Sequence, residues 1–493
     1  MIISDKVKKI AVIIARVFLG VVFIFSGYAK AVDPLGSNYK IQDYLTAMGL
    51  EGLASVALVA GILLAAFEFL LGVCLLLGAN LKQTSILTIL LMAFMTPLTL
   101  WIAIANPVSD CGCFGDALIL TNWQTFWKNV LFSALAVLIF LWHKFSPKLF
   151  TQRTEWIIAI CAGGFSILIS LYCYINLPII DFRPYKNGTN LIEAMKMPGS
   201  DEDIQYVSEQ LTKLSDGTLT KEACVEAICQ PQFHLKESVV LDMIDNYLTE
   251  EEKDTEDYAQ RIFDSLSDKY ETMLIYEKDG VAQEFTLQNY PKDDPAWKYV
   301  DSKNELKEKG YEPPIHDFTM EHPDDGDITE EVLANPGYTF LLVSYRVEKA
   351  STNKRKVIKA IYDYCLQNDY KFYCLTATGL NTKEMQEYKV EMGGVEYPFV
   401  NTDEITLKTI VRSNPGLVLI KNGVVINKWS DKNMPTFTEP LENSPRGQIQ
   451  QPNDRRVVFL STLLFLGVLV GVFAIDKVIA LMVDKLKKGK NNN

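Results

Sequence analysis

Residues 84–142 read TSILTILLMAFMTPLTLWIAIANPVSDCGCFGDALILTNWQTFWKNVLFSALAVLIFLW. Two apolar runs, Thr84 to Ala105 and Phe126 to Trp142, flank a polar loop in which Cys111 and Cys113 stand one residue apart. Each run is long enough to cross a hydrocarbon core as a helix. The stretch therefore predicts a membrane hairpin that holds its cysteine pair at one surface.

Working outward, four further runs have the same character: Ile10 to Tyr28, Ser55 to Gly78, Trp156 to Leu177 and Val457 to Ile475. A signal peptide is the competing reading of the first, because Lys6, Lys8 and Lys9 precede it. Its length, and the spans that follow without a clean small-residue cleavage site, favour a retained helix. Six spans in total are expected. Lysine and arginine then set the orientation. Lys6, Lys8, Lys9, Lys82, Lys144, Lys148, Arg153 and the tail lysines 485, 487, 488 and 490 fall on one side, with Arg455 and Arg456 on the other. That places both termini in the cytoplasm of a bacterial inner membrane. The loop Ser109 to Asp116 and the stretch from Pro178 to Asp454 face the periplasm.

The net charge of −12 is not spread evenly. Acid gathers outside, as in Glu250 to Asp257 and Asp324 to Asp327, while the cytoplasmic ends are basic. No basic surface with interleaved aromatics supports nucleic-acid binding. The lipid bilayer and periplasmic or envelope proteins, met through residues 181–440, are the expected partners. No internal repeat or pair of broken spans points to a transporter.

The expected organisation is a four-helix membrane domain over 1–150, a fifth span over 151–180 and a helical segment over 181–268. A small β-rich region over 269–312, an α/β domain over 313–440, a linker over 441–456 and a last span with basic tail over 457–493 complete it. Between the first two spans, Ile41, Tyr44, Leu45 and Met48 recur at helical spacing, which reads as an amphipathic helix at the interface or a packed cap on the bundle. Asp279-Gly280 and Asn422-Gly423 each divide two alternating runs and predict hairpins.

Arg16-Val-Phe-Leu-Gly20, Ser26-Gly-Tyr-Ala-Lys30, Glu68, Gly72 and the CGCFGD loop together resemble the DoxX/MauE group of four-helix membrane proteins over about residues 8 to 145. The resemblance implies a role tied to disulfide formation in periplasmic partners, with electrons passing to a quinone. From Pro313 onward, alternating strands and helices with Pro415 before the penultimate strand resemble the thioredoxin fold. Where such oxidoreductases carry Cys-x-x-Cys after the first strand, this chain has Tyr-Arg-Val-Glu-Lys-Ala-Ser, which favours a docking role for that domain. The fold class is thus multi-domain: an α-helical transmembrane bundle, a periplasmic α/β thioredoxin-like domain and a helical insertion.

Of nine cysteines, Cys74, Cys161 and Cys173 lie in spans and read as small buried hydrophobes. Cys111 and Cys113 are the candidate redox pair. A disulfide across one residue is strained and readily reduced, and Gly112 eases the backbone it needs. A structural turn or static bridge is the alternative. A metal is not expected, for no histidine lies near. Arg16, Glu68 and Lys30 are ionisable residues at or near membrane depth, where Arg16 and Glu68 read either as an ion pair or as functional groups. Cys224 and Cys229 read as a stabilising bridge, although five residues on a helix separate them by roughly 140°. Cys365 and Cys374 read as core. Two functions follow: a thiol-disulfide redox or maturation factor, or a non-enzymatic subunit or scaffold of an envelope complex.

Overall fold

The computed structural model describes residues 4–108, 110–250, 254–292, 294–442 and 454–490, apart from the side chains of 153, 454–455 and 483–490. Ser109, the linker residues 443–453 and the side chains of the tail lysines lie outside the described residues. Two compact units form: residues 1–191 with 317–493, and residues 192–316.

The first unit opens with α1 (Asp5–Val32), α2 (Pro34–Ala47), α3 (Ala57–Leu77), α4 (Leu81–Ala105), α5 (Asn122–Trp142) and α6 (Gln152–Asn176). Among the described residues, six helices are long and apolar enough to cross a membrane: α1, α3 with the turn before it, α4, α5, α6 and the C-terminal helix introduced below. The protein is a multi-pass membrane protein. α1 and α3 meet backbone to backbone because glycines line their seam. A Cβ on Gly27 would lie 2.4 Å from the Phe69 amide, one on Gly72 2.5 Å from that of Ile24, and one on Gly20 2.7 Å from that of Leu76. Small residues permit this approach in lipid, where packing drives association. Gly27→Ala should accordingly lower the thermal midpoint in detergent, with an overpacking cost of about 1–3 kcal/mol. Gly164→Ala, where nothing lies within 4 Å, is the control that should leave the midpoint unchanged.

Residues 192–316 hold the rest of α7 (Leu191–Met195), then α8 (Asp201–Ser215), α9 (Lys221–Ile228), α10 (Glu237–Thr249) and α11 (Thr255–Asp264). Val207, Leu211, Ile228, Val240, Ile244 and Ile262 are fully enclosed between these helices, a core of their own. β1 (Lys269–Lys278), β2 (Val281–Thr286) and β3 (Lys298–Glu308) follow in the antiparallel order β2-β1-β3. Asp279 and Gly280 both take positive φ and join β1 to β2, the two-residue hairpin read from the sequence. The helical segment and the β-rich region, read as separate parts, lie in this one unit.

The chain returns to the first unit at Asp317 and builds a seven-stranded sheet. Its elements are β4 (Glu321–His322), β5 (Gly326–Asp327), α12 (Thr329–Leu333), β6 (Tyr338–Val343), α13 (Arg355–Gln367), β7 (Lys371–Thr376), α14 (Lys383–Glu391), β8 (Phe399–Asn401), α15 (Glu404–Ile410), β9 (Gly416–Lys421) and β10 (Val424–Ser430). The order is β10-β9-β6-β7-β8-β4-β5. β6, β7 and β8 run parallel, and β9 runs antiparallel to β6. Every residue of β6 is buried, as a central strand covered on both faces requires. Asn422 and Gly423, both at positive φ, close the β9–β10 hairpin, again as the sequence reads. The Asn414–Pro415 bond before β9 is cis. Cys365 and Cys374 lie in the core of this region.

The last helix, α16 (Asp454–Lys490), lies along α6. Asp476, almost fully buried, accepts from the Thr151 amide at 3.1 Å and the Thr151 hydroxyl at 2.6 Å, which ties the last span to the start of α6.

Candidate functional site around Cys111 and Cys113

The loop between α4 and α5 is shaped by two glycines. Gly112 and Gly115 take φ of 62° and 56°, a region that side chains with a Cβ rarely enter. The Gly112 amide donates to Asp110 Oδ2 at 2.9 Å, and the Gly115 amide donates to the Gly112 carbonyl at 3.0 Å. This tight fold brings Cys111 Sγ and Cys113 Sγ to 2.9 Å. Cys111 is buried and Cys113 half-buried.

Three helices hold the loop. From α2, the Tyr44 hydroxyl donates to the Cys111 carbonyl and Lys40 pairs with Asp110. The α2 segment whose periodicity allowed either an interfacial helix or a bundle cap thus braces the cysteine turn. From α1, Ser26 and Lys30 sit one helical turn apart and meet Glu68 of α3. Lys30 Nζ lies 2.8 Å from Glu68 Oε2 and 2.8 Å from Ser26 Oγ, and it also donates to the Cys113 carbonyl. Ser26 Oγ is 2.7 Å from Glu68 Oε2 and 2.8 Å from the Cys113 carbonyl. A hydroxyl has one proton, so Ser26 serves one of those acceptors at a time, whereas the ammonium has three donors for its three acceptors. Lys30 is therefore the centre of the network. From α5, Lys128 Nζ lies 4.5 Å above the Phe114 ring.

The electrostatics divide the two thiols. Cys113 falls below the ordinary thiol range, chiefly because it accepts a hydrogen bond from the Cys111 thiol. Lys128 and Lys30 add to the effect, while burial and Glu68 oppose it. Cys111 is pushed up, by donating that bond and by burial. The more acidic thiol is also the less buried one. At Cys224 burial alone acts, and it lifts that thiol to about 11.

A buried arginine joins the loop to the sheet. Arg412, just after α15, bonds through Nε to Asp33 Oδ2 at 2.9 Å and through Nη2 to Asp116 Oδ2 at 2.8 Å. The Tyr39 and Tyr345 rings pack edge to face at 6.3 Å beside it. Asn414 Nδ2 donates to the Arg346 carbonyl at 2.9 Å, so the Pro415 turn and the segment after β6 form one edge. Through Arg412 and Tyr345 that edge lies against Asp33 and Tyr39 of the chain's own bundle.

Two expectations need correction. Glu68 pairs with Lys30, not with Arg16, whose Nε and Nη1 are buried without a hydrogen-bond partner. The reason is depth: Arg16 and Lys30 lie on nearly the same face of α1, but 14 residues apart, about 21 Å of rise. Cys224 and Cys229 form no bridge. α9 stays helical through Ile228, and the Cys224 thiol faces the Gln210 carbonyl at 3.7 Å, so the helix holds the two sulfurs on different sides. Sequence reasoning missed Lys40, Tyr44, Lys128 and Arg412. Only Lys128, a charge inside an apolar run, carried a signal.

A small cavity of about 30 Å³ lies beside the pair, lined by Cys113, Glu68, Met92, Met95, Lys128 and Phe132.

Residues 8–142 match the family described as methylamine utilisation protein MauE, so this part of the chain is MauE-like. Residues 270–309, the sheet β1 to β3, match a domain of unknown function, DUF8463. No curated protein and no solved structure matches the chain.

Proposed function

We propose that this membrane protein is a thiol-disulfide exchange factor that oxidises dithiols of proteins outside the cytoplasm through Cys111 and Cys113. The observation that carries the reading is the division of the pair: half-buried Cys113, whose thiolate is stabilised, beside buried Cys111, whose thiolate is not. A reduced form stabilised in this way makes the bridge a better oxidant. The MauE-like bundle supports a membrane accessory role, and the lysine distribution supports an inner-membrane protein with the pair on the periplasmic side. The thioredoxin-like reading of the sheet region rests on its strand order and on Pro415.

One turnover balances with the client dithiol and the oxidised pair alone, and re-forming the Cys111–Cys113 bond takes a two-electron acceptor such as a quinone. A client thiolate attacks Cys113 Sγ, the Cys111–Cys113 bond breaks, and Cys111 leaves and takes a proton. The client's second thiolate then attacks the client sulfur of the mixed disulfide. Cys113 departs as a thiolate next to Lys30 and Lys128, and the client holds the new bond. Two electrons pass from the client dithiol to the pair.

Trapping tests this. In Cys111→Ser, Cys113 has no resolving partner, and mixed disulfides should accumulate on non-reducing gels. Cys113→Ser should give none. An absence of adducts in both would sink the redox reading. In the reduced protein, the pH midpoint of Cys113 alkylation should lie below about 8.5, the ordinary thiol value. With the folded value depressed, the stability contributed by the thiolate is present above the unfolded value and lost as pH falls through the folded one.

A non-enzymatic subunit is the second reading, favoured by the Arg412 clamp that closes the sheet region onto the loop. A stoichiometric partner that stays bound after loss of both loop cysteines would select it.

A further inference from the structure

At the opposite end of the bundle from the cysteine loop, a cleft of about 610 Å³ opens between the α3–α4 turn, the α5–α6 connection and the start of α6. Lys82, Lys144 and Lys148 line it, against the single carboxylate of Glu155. All three lysines are otherwise exposed. Ser146 lines the cleft too, and its buried hydroxyl has no partner. α4 begins there as well; Asn80 at its N-cap makes no side-chain cap, and its amide donates to the Glu155 carboxylate.

Excess positive charge and an unpartnered buried hydroxyl converge on one chemistry, a phosphate anion. The cleft sits where α3, α4, α5 and α6 all reach the same end of the bundle, at head-group level, with Leu81 and Phe150 in its lining. We propose that it binds the phosphate head group of an anionic phospholipid, held by Lys82, Lys144, Lys148 and Ser146. This site is independent of the cysteine chemistry.

The test is native mass spectrometry of the full chain released from nanodiscs of phosphatidylcholine with phosphatidylglycerol as the minor component. One phosphatidylglycerol should stay bound. At roughly fivefold per lysine near the head groups, Lys82→Gln with Lys148→Gln should lower its retention roughly 25-fold. The thermal midpoint in pure phosphatidylcholine should not change, since both side chains are exposed. Three results would each overturn the proposal: equal retention of phosphatidylcholine, retention unaffected in the double variant, or displacement of the lipid by inorganic phosphate that then binds alone. The last would show a site for the free anion. Trapping through Cys113 should be unchanged in the lysine variants, which separates this outcome from that of the exchange reading.

Discussion

Lys30→Met should be among the most damaging single substitutions in the bundle, at about 3–5 kcal/mol in detergent unfolding, because it strands a buried carboxylate. Glu68 is 4% exposed, and its cation is Lys30. The same change removes the ammonium that holds the Cys113 carbonyl, so loop and bundle are uncoupled together. The pH midpoint of Cys113 alkylation should rise, since a cation that favours the thiolate is gone. Lys30→Met with Glu68→Gln should recover much of the stability, because no unpaired charge remains, and much of the alkylation midpoint, because the carboxylate that raises it is gone with the cation that lowers it. If the single variant melts like the wild type, Lys30 and Glu68 are not a buried pair.

Arg412→Ala should have a comparable effect, about 3 kcal/mol, through the loss of a buried charge with two carboxylates. The Asp33 arm carries most of this, with side chains 8% and 13% exposed. The Asp116 arm is worth less because that carboxylate is 36% exposed and screened by water. Without the guanidinium, Asp33 and Asp116 repel across the space it filled. Amide exchange over residues 110–117 should quicken as the sheet region releases the loop. Asp33→Asn with Asp116→Asn in the Arg412→Ala background should restore part of the protection. Unchanged exchange in the single variant would show that the clamp does not hold the loop.

The spans and both hairpins were legible in the sequence because each is decided locally. An uninterrupted apolar run has few alternatives to a membrane helix, and Asp-Gly or Asn-Gly between alternating runs supplies two residues that accept positive φ. The cysteine turn was legible for the same reason, through Gly112. The bonds that hold the pair were not. Asp33 and Arg412 are 379 residues apart, and no periodicity links them. Glu68 offered two cations on one face of α1, and the choice between them depends on depth, which the helical period does not encode. Ser26 and Lys30 could be placed on one face, but their joint aim at the Cys113 carbonyl depends on how closely Gly27 and Gly72 let α1 approach α3.

The unit 192–316 begins and ends at the same place. Near its two ends, the Ile315 amide donates to the Ala194 carbonyl at 3.1 Å. On the flanks of the insertion, the Leu191 amide donates to the Gly423 carbonyl at 2.8 Å and the Thr406 hydroxyl to the Asp317 carbonyl at 3.3 Å, both within the first unit. The ends of the insertion are thus clasped to each other, and its flanks are each held within the first unit. Such a cassette can be lengthened, exchanged or dropped by descendants of the gene while the bundle and sheet are inherited whole.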